Sequence, residues 1–343
     1  MDQNNPCGLK GGVEFVEFAS PDPKMLHELF MAFGFSRLMT HKSLAIDCYR
    51  QGDIIFLLNH QEESFGANFA RLHGPSVCSM GWRVENQSRA FEAAVSAGAR
   101  AYEHGPLLGS SPAIYGIGES LIHFVEPGAE GSYLDDFVAL EQPDIAQDLG
   151  FVAIDHLTNN VVKGTMETWA NFYKDIFGFV EVRYFDIRGV KTGLTSYALR
   201  SPDGAFCIPI NEGSEKKSQI EEYLREYNGP GIQHIALESK NLLDSLELLD
   251  RSRIETLDID DEYYEEVFER VPNVTEDRDR LKRLQVLIDG DEEGYLLQIF
   301  TRNIIGPIFI EMIQRKNHNA FGEGNFTALF RSIERDQARR GTL

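Results

Sequence analysis

Apolar and polar positions recur along the chain with two rhythms, one of period two and one close to 3.6. The stretches VEFVEFASPDPKMLHELFMAFGF (13–35) and VAIDHLTNNVVKGTMETWANFYKDIFGF (152–179) each read as a strand, a short loop and an amphipathic helix. Leu26, Leu29, Phe30 and Phe33 form the apolar stripe of the first helix, and Met166, Trp169, Tyr173 and Ile176 that of the second. Such stripes belong to helices lying on a sheet. Gly34 and Gly178, each between aromatic residues, suit the position just past a helix end.

The correspondence continues. SMGWRVENQSRAFEAAVSAGA (79–99) pairs with GIQHIALESKNLLDSLELLDRSRI (231–254), again as strand then helix, and SLIHFVEP (120–127) pairs with LLQIFTRN (296–303). Each half thus repeats a strand–helix–strand pattern, which predicts an α+β fold of two modules with curved mixed sheets and helices outside. The boundary is placed in LEQPDIAQDLGF, giving an N-terminal domain over 1–145 and a C-terminal domain over 146–343.

The repeat is uneven in its polar residues. Aligned by eye, His156 faces Glu17, His234 faces Gly81 and Glu311 falls opposite Ala139, so only the second half carries all three polar groups. In FIEMIQRKNH (309–318), Glu311 shares one strand face with Phe309 and Ile313, while Ile308, Ile310 and Met312 line the other. An ionised carboxylate in such a setting costs on the order of several kcal/mol unless a cation, donors or a metal compensate it. His156 alternates with Val152 and Ile154, and His234 with Ile232 and Ala236, so both imidazoles point from strands into enclosed space. One such histidine alone reads more readily as a satisfied core residue. Two neutral imidazoles and one carboxylate in the same half make a facial set that holds Fe(II) and leaves positions open for a 2-oxo acid and O2. Spacing along the chain does not prove that the three meet.

Composition narrows the partners. Hydrophobic residues make up 42% and charged residues 25%, which excludes a disordered chain. The formal net charge of −21 repels nucleic acid and anionic membrane surfaces. A small anionic substrate remains compatible with a local cation in a cleft. The N-terminus lacks a basic stretch followed by an apolar core, and no segment approaches about 18 apolar residues, so a cytoplasmic location is expected. Cys7, Cys48, Cys78 and Cys207 lie far apart with no CxxC pair, which fits reduced thiols and argues against a thiolate zinc site.

The stretches IDHL, IPINEG, KKSQIEEYL, GPGIQHIAL, LLQIFT, FIEMIQRKNH and FGEGNFTALFRSIE together resemble the 4-hydroxyphenylpyruvate dioxygenases of the vicinal-oxygen-chelate superfamily. The N-terminal half fits in outline with weaker motifs. The resemblance implies two vicinal-oxygen-chelate domains of repeated βαβββ modules forming open barrels, the first non-catalytic and the second catalytic. It implies Fe(II) on His156, His234 and Glu311, conversion of 4-hydroxyphenylpyruvate and O2 to homogentisate and CO2, and a homo-oligomer, dimer or tetramer. Beside that chemistry, Gln219, Gln298, Ser196 and Asn211 supply neutral donors and acceptors that orient a phenol or carboxylate without adding charge. Phe300, Phe321 and Phe326 are assigned as aromatic walls and Pro209 to the pocket edge, and Asn325 is counted with them as substrate-binding. Without the motifs, the phenylalanines would read as core, and Asn211 and Ser196 as turn or edge residues.

FGEGNFTALFRSIERDQ (321–337) contains two glycines, read as a hinge, and Asn325, read as the cap of a lid helix over 325–339 with the stripe Phe326, Leu329, Phe330 and Ile333. The acidic LDIDDEYYEEVFERV (257–271) lacks the central glycine of a calcium loop and reads as a solvated surface segment. His123 aligns with Gln298 as a leftover core residue; His27, His41, His60, His73, His104 and His318 have no supporting partners in sequence. Rival functions are hydroxymandelate synthase, against which a bulky Phe300 weighs; a metal-dependent isomerase or ring-cleaving dioxygenase; and a non-catalytic binding protein.

Overall fold

A computed structural model describes residues 4–103, 111–129, 132–189 and 192–342. The first half runs β1 (Leu9–Ala19), α1 (Pro23–Ala32), β2 (Ser36–His41), β3 (Ile46–Gln51), β4 (Ile54–Asn59), α2 (Phe65–His73), β5 (Ser76–Val84), α3 (Gln87–Ser96), β6 (Ala113–Tyr115), β7 (Leu121–Val125) and β8 (Phe137–Asp144). The second runs β9 (Phe151–Val161), α4 (Met166–Phe177), β10 (Val180–Arg188), β11 (Gly193–Arg200), β12 (Cys207–Gly213), α5 (Gln219–Glu226), β13 (Gly231–Ser239), α6 (Leu242–Leu248), α7 (Tyr263–Arg270), α8 (Arg278–Leu284), β14 (Leu287–Gly290), β15 (Tyr295–Phe300), β16 (Phe309–Lys316) and α9 (Phe326–Arg340).

Both predicted helices form where their stripes place them. Asp22 caps α1 by accepting from Met25 N at 3.2 Å, a proline opens it, and Leu26 and Phe30 are buried. In α4 the buried side includes Met166, Tyr173 and Ile176, and the helix stops at Gly178, whose φ of 78° lies in the left-handed region. A side chain there would also collide with the Asn4 carbonyl, so glycine serves both the turn and the close approach.

The strands form two eight-stranded mixed sheets, ordered β6-β7-β5-β1-β4-β3-β2-β8 and β10-β11-β12-β9-β13-β16-β15-β14. The matching order β4-β1-β5 and β12-β9-β13 bears out the first two repeat correspondences as strands, but their residue matches are corrected: Gly81 holds the place of Ala236 and not of His234, and Phe15, paired with Gly81, that of His156 in place of Glu17. The third is corrected. β7, which carries SLIHFV, pairs parallel with β5 through Gly81 opposite His123, just as β16 pairs parallel with β13 through Ala236 opposite Glu311. His123 therefore sits on the counterpart of the Glu311 strand and not of Gln298. Ala139 lies on β8 at the far edge, opposite Met39 of β2. Alternation reports which face a residue takes but is silent on which neighbour its strand pairs with.

The halves share one core. Trp82 of β5 meets Phe177 and Phe206 edge-on, with ring centroids 4.9 and 5.1 Å apart. The acidic stretch 257–271 is also corrected: it contains α7, whose Tyr264 and Val267 are buried along with Leu257, Ile259 and Val271. Its acidic residues occupy the outer positions of an amphipathic segment. The other histidines have local partners, among them Tyr49 for His27 at 2.8 Å and the Tyr227 carbonyl for His73 at 2.7 Å; His104 lies outside the described residues. The cysteines are buried and unbridged. No helix among the described residues is long and apolar enough to cross a membrane.

Candidate metal centre

Three neighbouring strands, β9, β13 and β16, carry the candidate ligands, and their register explains why the ligands meet. Ala236 of β13 lies opposite His156 on one side and Glu311 on the other. Its methyl leaves room for both side chains to lean over it. His234, two residues earlier on β13, projects from the same face. His156 Nε2 lies 3.3 Å from His234 Nε2 and 3.1 Å from Glu311 Oε2, and His234 Nε2 lies 3.3 Å from the same oxygen. The three residues are buried to 3%, 9% and 3% exposure, so no bulk water screens them.

A bulge stands at each histidine. Pairing of β9 with β13 steps from His156–Ala236 to Ile154–Leu237, and from Thr158–His234 to Asn159–Ile232, which leaves Asp155 and Gln233 as the extra residues. A bulge turns its extra residue out of strict alternation. Asp155 Oδ1 thereby reaches His156 Nδ1 at 2.7 Å, and Gln233 Oε1 reaches His234 Nδ1 at 3.0 Å. With Nδ1 donating to these oxygens, each ring turns its Nε2 toward the other ring and a carboxylate, and an Nε2 that has released its proton presents a lone pair there.

That donor set fits a divalent cation. Two nitrogen lone pairs and a carboxylate oxygen at 3.1 to 3.3 Å have no mutual attraction without positive charge among them. Bonds of about 2.1 Å at right angles place donors about 3 Å apart, close to these separations. The protein's own electrostatics point the same way. Burial would raise Glu311, but the two imidazoles outweigh it and hold the carboxyl down at about 2. Burial would lower His156, but Glu311 and Asp155 outweigh it and hold the imidazole up at about 9, while burial prevails at His234 and keeps it low. The cluster is a buried anionic socket able to hold one positive charge.

A cavity opens onto the triad. Ser196, Pro209, Asn211, Gln219, Gln298, Phe300, Phe321 and Phe326 all line it, as does the α9 stripe through Leu329, Phe330 and Ile333. Gln298 is 1% exposed, and neither its Nε2 nor its Oε1 has a partner among the described residues. Asn211 Nδ2 is placed near Asn160 Oδ1 at 3.4 Å and Gln233 Oε1 at 3.3 Å. Phe321 stands edge-on to the His156 ring at 5.8 Å.

Asn325 differs from expectation. It is fully buried but does not line the cavity, and its side chain does not cap α9. Instead Asn325 Oδ1 accepts from Tyr263 Oη at 2.7 Å and Arg270 Nη2 at 3.3 Å, fastening the start of α9 to α7. The two glycines are close-approach points: a Cβ at Gly322 would strike the Gln298 amide, and one at Gly324 the Arg270 guanidinium. Farther along, Glu334 Oε1 accepts from Thr192 N at 3.0 Å, and Gln337 Nε2 donates to Glu222 Oε2 at 2.7 Å beside the Arg340–Glu222 ion pair.

Sequence reasoning missed Asp155, Gln233 and the cavity phenylalanines Phe185 and Phe309. Phe309 shares its strand face with Glu311 and was legible from alternation. Asp155 and Gln233 were not, because alternation sends the residue before a strand histidine to the opposite face.

Residues 3–138 match the family model described as hydroxyphenylpyruvate dioxygenase, N-terminal, and residues 153–286 match the glyoxalase/bleomycin resistance protein/dioxygenase superfamily model. The chain is 59% identical to protein MelA of Shewanella colwelliana, covering 99% of both chains. It is 46% identical to 4-hydroxyphenylpyruvate dioxygenase of Pseudomonas sp. (strain P.J. 874), over 99% of this chain and 98% of that one. Among solved structures, a xylose isomerase-like TIM barrel/4-hydroxyphenylpyruvate dioxygenase fusion protein superposes with a TM-score of 0.82 at 29% identity, over 96% of this chain and 53% of that one. With near-complete coverage at that identity, this chain belongs to the 4-hydroxyphenylpyruvate dioxygenase family.

Proposed function

We propose that this chain is an Fe(II)-dependent dioxygenase that converts 4-hydroxyphenylpyruvate and O2 to homogentisate and CO2 in tyrosine and phenylalanine catabolism. His156, His234 and Glu311 hold the iron. The observation that carries this reading is the meeting of three buried ligand atoms, 3.1 to 3.3 Å apart, at the floor of a cavity walled by aromatic rings. When bound, Fe(II) supplies the coordination positions at which a 2-oxo acid and O2 come together.

The chain's own residues do the rest. Gln298, with two buried amide atoms facing the cavity unpartnered, gives and accepts a hydrogen bond with substrate oxygens that no protein group supplies. Ser196, Asn211 and Gln219 add neutral polar contacts, and Phe300, Phe321 and Phe326, with Pro209, hold a flat ring in place. The apolar side of α9 closes the cavity and excludes water from the reacting atoms. Residues 1–145 act as a non-catalytic partner domain and 146–343 as the catalytic one, since all three ligands come from the second sheet and the cavity-lining residues from that sheet, α5, α9 and the segment between β16 and α9. A cytoplasmic homo-oligomer, dimer or tetramer, completes the reading.

Anaerobic titration with Fe(II) and 4-hydroxyphenylpyruvate followed by oxygen, with product chromatography, tests it. Homogentisate formed with stoichiometric O2 uptake is the expected result. 4-Hydroxymandelate as product, or turnover without iron, overturns it.

A further inference from the structure

We propose that the largely buried Asp155–Arg315 pair is a positioning device that ties the metal ligand His156 to the root of the α9 lid, so that metal retention and lid docking are coupled. The inference rests on the metal reading above and adds residues that do not touch the cavity.

Arg315 lies on β16 and Asp155 on β9, with β13 between them. Their side chains are 14% and 12% exposed. Arg315 Nε donates to Asp155 Oδ2 at 2.6 Å and Nη2 to Oδ1 at 2.8 Å, a two-pronged contact that fixes both planes. The remaining fork is spent on the lid. Arg315 Nη1 donates to the carbonyls of His318 at 3.0 Å and Ala320 at 2.7 Å, in the segment that leads from β16 to α9.

A single rigid guanidinium therefore joins two structures that sequence keeps apart. On one side, Asp155 Oδ1 holds His156 Nδ1 and so sets the direction of the Nε2 lone pair. On the other, the anchored carbonyls immediately precede Phe321, whose ring packs against the same imidazole. His156 is thus touched from the lid root twice, once through Asp155 and once directly. His234 has no such link: its Nδ1 is held by the neutral amide of Gln233 on its own strand. Lysine at 315 could pair with Asp155 or reach a carbonyl, but its single ammonium has no fork to do both in plane.

The test is Arg315→Lys, with Asp155→Asn as second variant, in the full chain. Fe(II) affinity is measured anaerobically by chelator competition, and amide hydrogen exchange over 317–340 is followed with and without saturating Fe(II). Wild type is expected to gain protection over 317–340 on binding Fe(II). Arg315→Lys is expected to lose about 10- to 100-fold in affinity and, at saturating Fe(II), to lose that gain while α4 and β13 exchange as in wild type. Affinity within twofold of wild type, or an undiminished gain in 317–340, overturns the tether and leaves the metal reading standing. Wild type that does not bind Fe(II) overturns both. Should both variants unfold, the wild-type experiment decides alone, because unchanged exchange over 317–322 on metal binding refutes the coupling.

Discussion

Phe330 is the one fully buried apolar residue of α9, which makes its truncation an informative test of the lid. Phe330 is 3% exposed and forms a small apolar cluster with Leu194 of β11 and Ile220 of α5, apart from the main core. Phe330→Ala removes a buried ring from that cluster. Full burial of such a ring is worth about 3 kcal/mol at the low end of measured truncations. The loss falls on the docking of α9 rather than on the whole fold, since the two sheets and the large core do not depend on this contact. At about 1.4 kcal/mol per factor of ten, 3 kcal/mol raises the undocked fraction of α9 by roughly 100-fold. Hydrogen exchange of α9 amides should accelerate by that order while β13 and β16 keep their protection, and O2 consumed per homogentisate formed should rise above one. Limited proteolysis offers an independent readout, with cleavage expected first within 322–340. Unchanged exchange in α9, or acceleration spread evenly over both sheets, would refute the argument that Phe330 holds a separately docking lid.

His234→Ala or Glu311→Ala should abolish Fe(II) binding, measured by chelator competition, while the melting temperature of the metal-free protein stays near wild type, because the triad is a small part of a large core. Gln298→Leu, which keeps the volume and removes both unpartnered amide atoms, should weaken substrate binding by about 10-fold or more in anaerobic titration without changing Fe(II) affinity; equal substrate affinity would remove Gln298 from the contact set. Gly324→Ala should loosen the lid root, because its methyl would displace Arg270 from Asp289, and faster exchange over 322–330 is the check. Burial alone would raise Glu222, but hydrogen bonds from Arg340 and Gln337 outweigh it and hold the carboxyl below its ordinary 4.5. Its contribution to lid docking is therefore complete above pH 4.5 and fades as the pH falls through the lowered value, so α9 should become more protease-sensitive below pH 4.5 in wild type and less pH-dependent in Glu222→Gln.

The ligands were legible in sequence because His156, His234 and Glu311 stood out as polar residues in apolar strands, although only β16 keeps period-two alternation through its ligand; the bulges put His156 and His234 on the faces opposite Ile154 and Ile232. What joins them was not. The row His156–Ala236–Glu311 depends on β16 inserting beside β13, and hydrophobic pattern carries no signal for strand order; for the same reason the pattern does not reveal that SLIHFVEP corresponds to FIEMIQRK and not to LLQIFTRN. The two bulges escaped for a related reason. Each breaks alternation by one residue, so Asp155 and Gln233 read as facing away from the very imidazoles they orient. Asn325 shows local chemistry overridden by tertiary contacts: a residue well suited to cap a helix instead gives its carbonyl to Tyr263 and Arg270, because α7 packs where a solvated acidic segment was expected. The metal ligands follow from one-dimensional pattern, whereas their aim and the closure over them come from contacts among β9, β13, β16, α7 and α9. Substitutions at Asp155, Gln233 or Arg315 should therefore alter the centre as surely as substitutions at the ligands.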